Sequence, residues 1–477
     1  MSFKSLSNIL LVATLLAAVI PVFGEPQPVV VEAARQPGQP WKPYPTRTLQ
    51  DLPADLQTNL DTASSQYGGI LAVRTNATGF FHAAQFAGRS WLVDPEGCLY
   101  LSKGVTAVNL LPTPGATAAF KEKFGTKSNW VAQTSELLRG AGFNSIGAWS
   151  DTASFRAAAK PVPYTLIWNF MSSYGKKRGG TYQQPGHTGY PNNCIFVFDP
   201  GFESFCDDYA KQLVAVKNDP WLLGNFSDNE MPLQLSMLTN YLTLPETDPG
   251  QQAAAAWLRG RHGADATIKD VTKQDFLDFQ GYVVQRYFQI VSHAVHNYDP
   301  NHLFLGSRFH GPDVRCPDIF RAAGPYVDVI SVNCYREWTP DAGELAMWAR
   351  ESGRPFIITE FYAKAVDSGR SNIGGAGWLV KTQPERGLFY ENFTLALLEC
   401  KDCVGWHWFK YADNDPEETN TDPSNRDANK GIVDNRYAPY PALLGPMRQI
   451  NERAYTLAEY FARTKRPDMT AASPPAK

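Results

Sequence analysis

Two glutamates carry the first chemical suggestion in this chain. Gly224-Asn225-Phe226-Ser227-Asp228-Asn229-Glu230 and Phe356-Ile357-Ile358-Thr359-Glu360-Phe361 each bring an apolar, strand-like run to a carboxylate, and the two carboxylates lie 130 residues apart. Cleaving a glycosidic bond takes one carboxyl group to protonate the leaving oxygen and a second on the other side of the sugar. Two such groups, far apart in sequence, meet when both sit at the C-terminal ends of strands in a parallel barrel, because those ends converge on one mouth. Glu230 and Glu360 are therefore the expected catalytic pair.

The elements that must position them are legible in the pattern. Short β-rich runs alternate with longer helical stretches, which argues for a parallel sheet covered by helices. Eight runs read as strands, at 99–105, 143–147, 164–168, 222–226, 303–306, 327–332, 356–359 and 404–409. Eight strands close a barrel, so the expected fold is α/β, a single (β/α)8 TIM barrel with a short N-terminal extension. Between the fourth and fifth runs, Phe276, Phe279, Val283, Tyr287, Ile290, Val291 and Val295 recur at helical spacing, a core-facing stripe that Pro300 brings to a stop. The polar, Ala-rich segment 234–264 is placed where a loop after the fourth strand would shape a cleft.

Bulk properties narrow the classes. With 477 residues, 43% of them hydrophobic, the chain can bury a large core. A net charge of −3 offers no field for a phosphate backbone, so nucleic acid is not an expected partner. Residues 1–24 read as a signal peptide, with Lys4 ahead of the apolar run 9–20. That run falls short of the ~20 residues of a bilayer span. The expectation is a secreted or periplasmic protein with no membrane contact after signal removal, the alternative being an N-terminal anchor. Residues 25–78 read as a Pro-rich linker and extension, 79–465 as the barrel and 466–477 as a disordered tail. Seven cysteines are an odd set and give no disulfide framework. Cys400-Lys401-Asp402-Cys403 reads as a small buried pair or a local disulfide. No group of His, Cys and carboxylates has ligand spacing along the chain, so neither metal nor other cofactor is expected.

Several strings resemble glycoside hydrolase family 50, the β-agarases, within clan A of retaining glycosidases. They are Trp91-Leu92-Val93-Asp94-Pro95-Glu96-Gly97, Phe143 to Asp151, Asp219 to Glu230, Val329-Ile330-Ser331-Val332-Asn333-Cys334-Tyr335, Ile358-Thr359-Glu360-Phe361 and Gly405-Trp406-His407-Trp408-Phe409-Lys410-Tyr411-Ala412-Asp413. The resemblance implies hydrolysis of β-galactosidic linkages in agar-type galactans by double displacement, with a polysaccharide or oligosaccharide as the partner. It implies Glu230 as acid/base, which requires a raised pKa, and Glu360 as nucleophile. Asn229 is the expected donor to the sugar 2-hydroxyl, and Tyr335 the group that holds the attacking carboxylate. Trp149 and Trp406 suit stacking on pyranose faces. His310 and His407 are candidate donors to sugar hydroxyls, and Asp413, Asp199 and Arg308 further subsite candidates. The family pattern is departed from in two places. The ~50 residues between signal and barrel are fewer than the β-sandwich that family members usually carry there, and Lys410 stands where a glutamine is usual. Both bear on substrate, which leaves open a β-galactosidase or other clan A β-glycanase, and a carbohydrate-binding relative without catalysis.

Overall fold

The computed structural model describes residues 29–61 and 63–464, so the signal-peptide and tail readings lie outside the described residues. Eight parallel strands close a barrel: β1 (Ser102–Val105), β2 (Ser145–Ile146), β3 (Tyr164–Ile167), β4 (Leu222–Asn229), β5 (Leu303–Phe309), β6 (Ile330–Asn333), β7 (Phe356–Phe361) and β8 (Cys403–Trp408). Each pairs with the next and β8 pairs with β1. Every residue of β5, β7 and β8 is buried, as expected for strands that have side chains on one face and helices on the other. The fold is a (β/α)8 barrel.

The helices are built from their ends inward. Lys273–Tyr298 starts at Thr272, whose hydroxyl accepts from Asp275 N while the Asp275 carboxylate accepts from Thr272 N. Such a reciprocal cap contributes about 1 kcal/mol. Phe279, Val283, Tyr287, Val291 and Val295 are fully buried along one face, each contributing roughly 1.5–3 kcal/mol relative to exposure. At the far end Asp299 accepts from His302 Nδ1 at 2.8 Å and from Asn225 Nδ2 at 2.9 Å, tying this helix to β4 and to the start of β5.

Several local expectations are corrected. The run 99–105 is two strands rather than one: Cys98–Tyr100 belongs to a separate antiparallel sheet with Ile70–Arg74, Arg89–Val93 and His82–Phe86. Leu92 and Tyr100 of that sheet pack with Leu223, Leu305, Val329, Ile357 and Val404, which lie early in the barrel strands. The small sheet thus plugs the N-terminal end of the barrel and leaves the C-terminal end open.

The Pro-rich stretch read as a linker contains an antiparallel hairpin, Val29–Ala33 with Lys42–Thr46. Pro43 and Pro45 are exposed in its second strand, where the missing N–H is tolerated. Tyr44 meets Trp338 and Trp378 at centroid distances of 5.5 and 4.9 Å, and Ala34 exchanges 2.8 Å backbone hydrogen bonds with Leu379. The hairpin is docked on the barrel. The 234–264 insertion forms two helices, Met237–Leu242 and Pro249–His262. Tyr241 and Trp257 pack on Phe279, so the insertion braces the long helix and does not line the cleft. All seven cysteines are free. Among the described residues no helix is long and apolar enough to cross a membrane.

Candidate active site

β4 and β7 deliver the two glutamates to the open end of the barrel. Asn229 ends β4 and Glu230 follows it in the left-handed region, φ +49°, a conformation that costs a non-glycine residue of order 1–3 kcal/mol and persists where surrounding structure imposes it. Here Glu230 N donates to Arg308 O on β5 at 3.1 Å. Trp149, just beyond β2, is also left-handed at φ +68°. Glu230, Glu360, Asn229, Tyr335, Trp149 and His310 line one cavity of about 880 Å³.

The two carboxylates have different neighbours. Glu360 Oε1 lies 2.6 Å from Arg308 Nη2, with the guanidinium fully buried, while Oε2 accepts from the Tyr335 hydroxyl and the carboxylate also takes a hydrogen bond from Trp149. Burial raises the Glu360 pKa and the Glu230 carboxylate adds to that rise; Arg308 and the two donors work against it.

Glu230 Oε1 accepts from Asn333 Nδ2 at 2.8 Å, and Oε2 lies 3.6 Å from His187 Nδ1. Gln184 Oε1 lies 2.8 Å from His187 Nε2, which leaves His187 Nδ1 facing the carboxylate oxygen. Burial works to raise the Glu230 carboxyl, but the charge of a protonated His310 and the hydrogen bonds from His187 and Asn333 outweigh it and hold the group at about 2. This is opposite to the raised value expected, because the sequence does not announce two imidazoles beside this group. Burial in turn lowers the His310 pKa from 6.5, so the holding charge is itself lost as pH rises.

Asn229 and Asn333 connect the halves. Asn229 Oδ1 accepts from Arg308 Nη1 at 3.1 Å and from Asn333 Nδ2 at 3.2 Å, and Asn333 Oδ1 accepts from Thr359 Oγ1 at 2.7 Å. One network therefore runs from Glu230 to the residue preceding Glu360. Ligand atoms of His187, Glu230 and His310 lie within 4.8 Å of one another, a spacing that can hold a divalent cation. The three come from separate connections, which is why no ligand spacing is visible along the chain.

Other expected site residues lie elsewhere. Trp406 is fully buried, its Nε1 donating to Tyr390 Oη at 2.8 Å, so it packs outside the barrel and offers no face to a sugar. His407 points into the barrel, where Nε2 meets Ser102 Oγ at 2.9 Å. Burial first, and then the Arg308 charge, lower its pKa to about 3, so it is a neutral strut. A side chain on Gly104 or Gly147 would meet the His407 ring at 2.6 Å, which is why both positions are glycine. Asp413 is buried beneath a loop, accepting from Gly431 N at 2.7 Å and Tyr440 Oη at 2.6 Å. Asp199 accepts from Tyr174 Oη at 3.3 Å and from Arg178. Arg308 sits behind Glu360 and is absent from the cavity wall. Residues given no role by the sequence do line the cavity: His187 from the hairpin Tyr182–Gln184/His187–Gly189, Asn333 at the end of β6, Arg35 from the loop of the N-terminal hairpin, and Lys430.

No family model matches the chain. It is similar to beta-agarase B of Vibrio sp. (strain JT0107), 25% identical over 495 residues, which covers 82% of this chain and 50% of that protein. It is also similar to beta-agarase A of the same organism, 28% identical over 378 residues, covering 68% and 36%. The chain thus spans about half the length, or less, of these curated relatives. Among solved structures, BpGH50 is 31% identical with a TM-score of 0.81, covering 91% of this chain and 96% of that one. The agarase AgWH50C shares the fold, at 23% identity and a TM-score of 0.68, covering 85% and 68%.

Proposed function

Because the chain belongs to glycoside hydrolase family 50, we propose that it is a retaining, agarase-like hydrolase that cleaves β-galactosidic linkages of agar-type galactans. The observation that carries this reading is the pairing of Glu230 and Glu360 in one cavity with unlike partners. Glu360, held by Arg308, Tyr335 and Trp149, attacks the anomeric carbon as the glycosidic C–O bond breaks. Glu230 gives its proton to the leaving oxygen. In the second step Glu230 takes a proton from water as that water displaces Glu360.

The proton Glu230 needs is drawn from the imidazole side of the site, where the charge of a protonated His310 faces it. A sugar that fills the cavity displaces water from these groups, and the neutral pair of imidazole and carboxylic acid then gains on the charged pair, since desolvation disfavours charge. Asn229, fixed by Arg308 and Asn333, is oriented for the 2-hydroxyl, and the half-exposed Trp149 supplies a stacking face. Residues 1–24 act as an export signal, which suits a polymeric substrate met outside the cell.

The test is Glu360→Ala. Hydrolysis of an activated β-galactoside should fall by several orders of magnitude and return in part when azide is supplied, with the α-galactosyl azide as product. Undiminished hydrolysis by Glu360→Ala would refute the assignment.

A further inference from the structure

The cleft extends beyond the glutamates. A second groove of about 460 Å³ shares Ala107, Lys410 and Asn425 with the catalytic cavity, so the two are continuous and Lys410 stands at their junction. The Lys410 ammonium has no hydrogen-bond acceptor and no carboxylate within 4.0 Å among the described residues; Glu418 and Asp413 are the acidic groups that face it from further away. Beside it Lys430 is buried, its Nζ donating to Ser424 O at 2.6 Å and Asn425 Oδ1 at 2.9 Å. The two backbones are joined by Lys410 N donating to Lys430 O at 3.2 Å. Arg35 reaches the same cavity and donates to the carbonyls of Tyr335 and Ala376, at 2.7 and 2.9 Å.

None of Lys410, Lys430 and Arg35 has an ion-pair partner among the described residues, and burial, with the Lys410 and Lys364 charges, holds the Lys430 pKa well below the usual lysine value. Apart from the catalytic pair, of which Glu360 acts on Lys430, the carboxylate beside them is Asp422, occupied by the amides of Gly186 at 2.8 Å and Ser424 at 2.7 Å. Cations taken out of water without a counter-ion are costly. Here the cost is concentrated along the path of a bound chain, where a ligand can supply the missing charge.

We propose that this wall is a subsite for an acidic substituent, so that the galactan taken by the cleft carries a sulfate ester or a carboxylate on the sugar unit that passes Lys410. Lys410 makes the direct contact, and Arg35 adds to the field. The inference rests on the galactan-hydrolase reading and narrows its substrate to an acidic galactan.

Calorimetric titration of the full chain carrying Glu360→Gln tests this without turnover, using size-matched agar oligosaccharides that are neutral, sulfated or carboxylated. One charged form should bind about tenfold more tightly than the neutral one, the scale of a hydrogen bond to a charged group, and the advantage should shrink as salt is raised. Which charged form wins identifies the substituent. Adding Lys410→Gln should erase the difference, and Lys410→Arg should keep most of it; if Lys410→Gln fails to fold, the salt dependence and Lys410→Arg carry the test. Neutral oligosaccharide binding as tightly as both charged forms would overturn the subsite and leave the galactan reading standing. Failure of every galactan to bind would remove both.

Discussion

At Glu230, burial and imidazole charge pull in opposite directions, and their balance sets the pH range of activity. Charged imidazoles hold the carboxyl at about 2, while burial lowers the His310 pKa from 6.5. One proton is thus shared between Glu230 and His310, and a proton held by two sites has a higher apparent pKa than it has at either of them. The alkaline limb of kcat/KM reports loss of that proton. His310→Ala should move that limb to lower pH, because one holder of the proton is gone. An unchanged or raised limb in a pH series would separate His310 from the catalytic proton. The glutamates themselves are legible in the sequence because each terminates a strand-like run. Their partners are less so: His187 lies in no marked string, and although Arg308 is a subsite candidate and Asn333 lies in a marked string, only the closed barrel shows that Arg308 pairs with Glu360 and Asn333 donates to Glu230.

At the scale of elements, β8 shows where pattern reading stops. Cys403 to Trp408 is buried throughout, so no polar alternation marks which residues face the barrel interior and which the helices. A strand alternates its side chains, and a shift of one position exchanges every facing. His407 takes the interior with Ser102, which turns Trp406 toward Tyr390 on the helix Gln383–Glu399. Trp406→Ala should therefore act on stability, costing about 3–5 kcal/mol as a buried tryptophan replaced by a cavity. Denaturant titration reads this directly, and a rise in KM with unaltered stability would return Trp406 to the sugar. The N-terminal hairpin has the same lesson in reverse. Prolines at 28, 37, 40, 43 and 45 read as extended linker, but two strands pair there because Tyr44 finds Trp338 and Trp378, partners about 300 residues away.

Over the whole molecule, the eight-strand count and the alternation of strands with helices were enough to read the barrel, while the plug was hidden because Leu101 alone separates its last strand from the first barrel strand, with no turn signal between them. The plug decides access: with the N-terminal end filled by Leu92 and Tyr100, a polymer approaches from the end where β4 and β7 present their carboxylates. Double displacement at that end is the central step of the proposed chemistry. Time-resolved proton NMR of an agarose-derived oligosaccharide during cleavage tests it most directly. Under double displacement the new reducing-end galactose appears first as the β anomer and only later equilibrates with α. First appearance of the α anomer, or no cleavage of any galactan oligosaccharide, would contradict it.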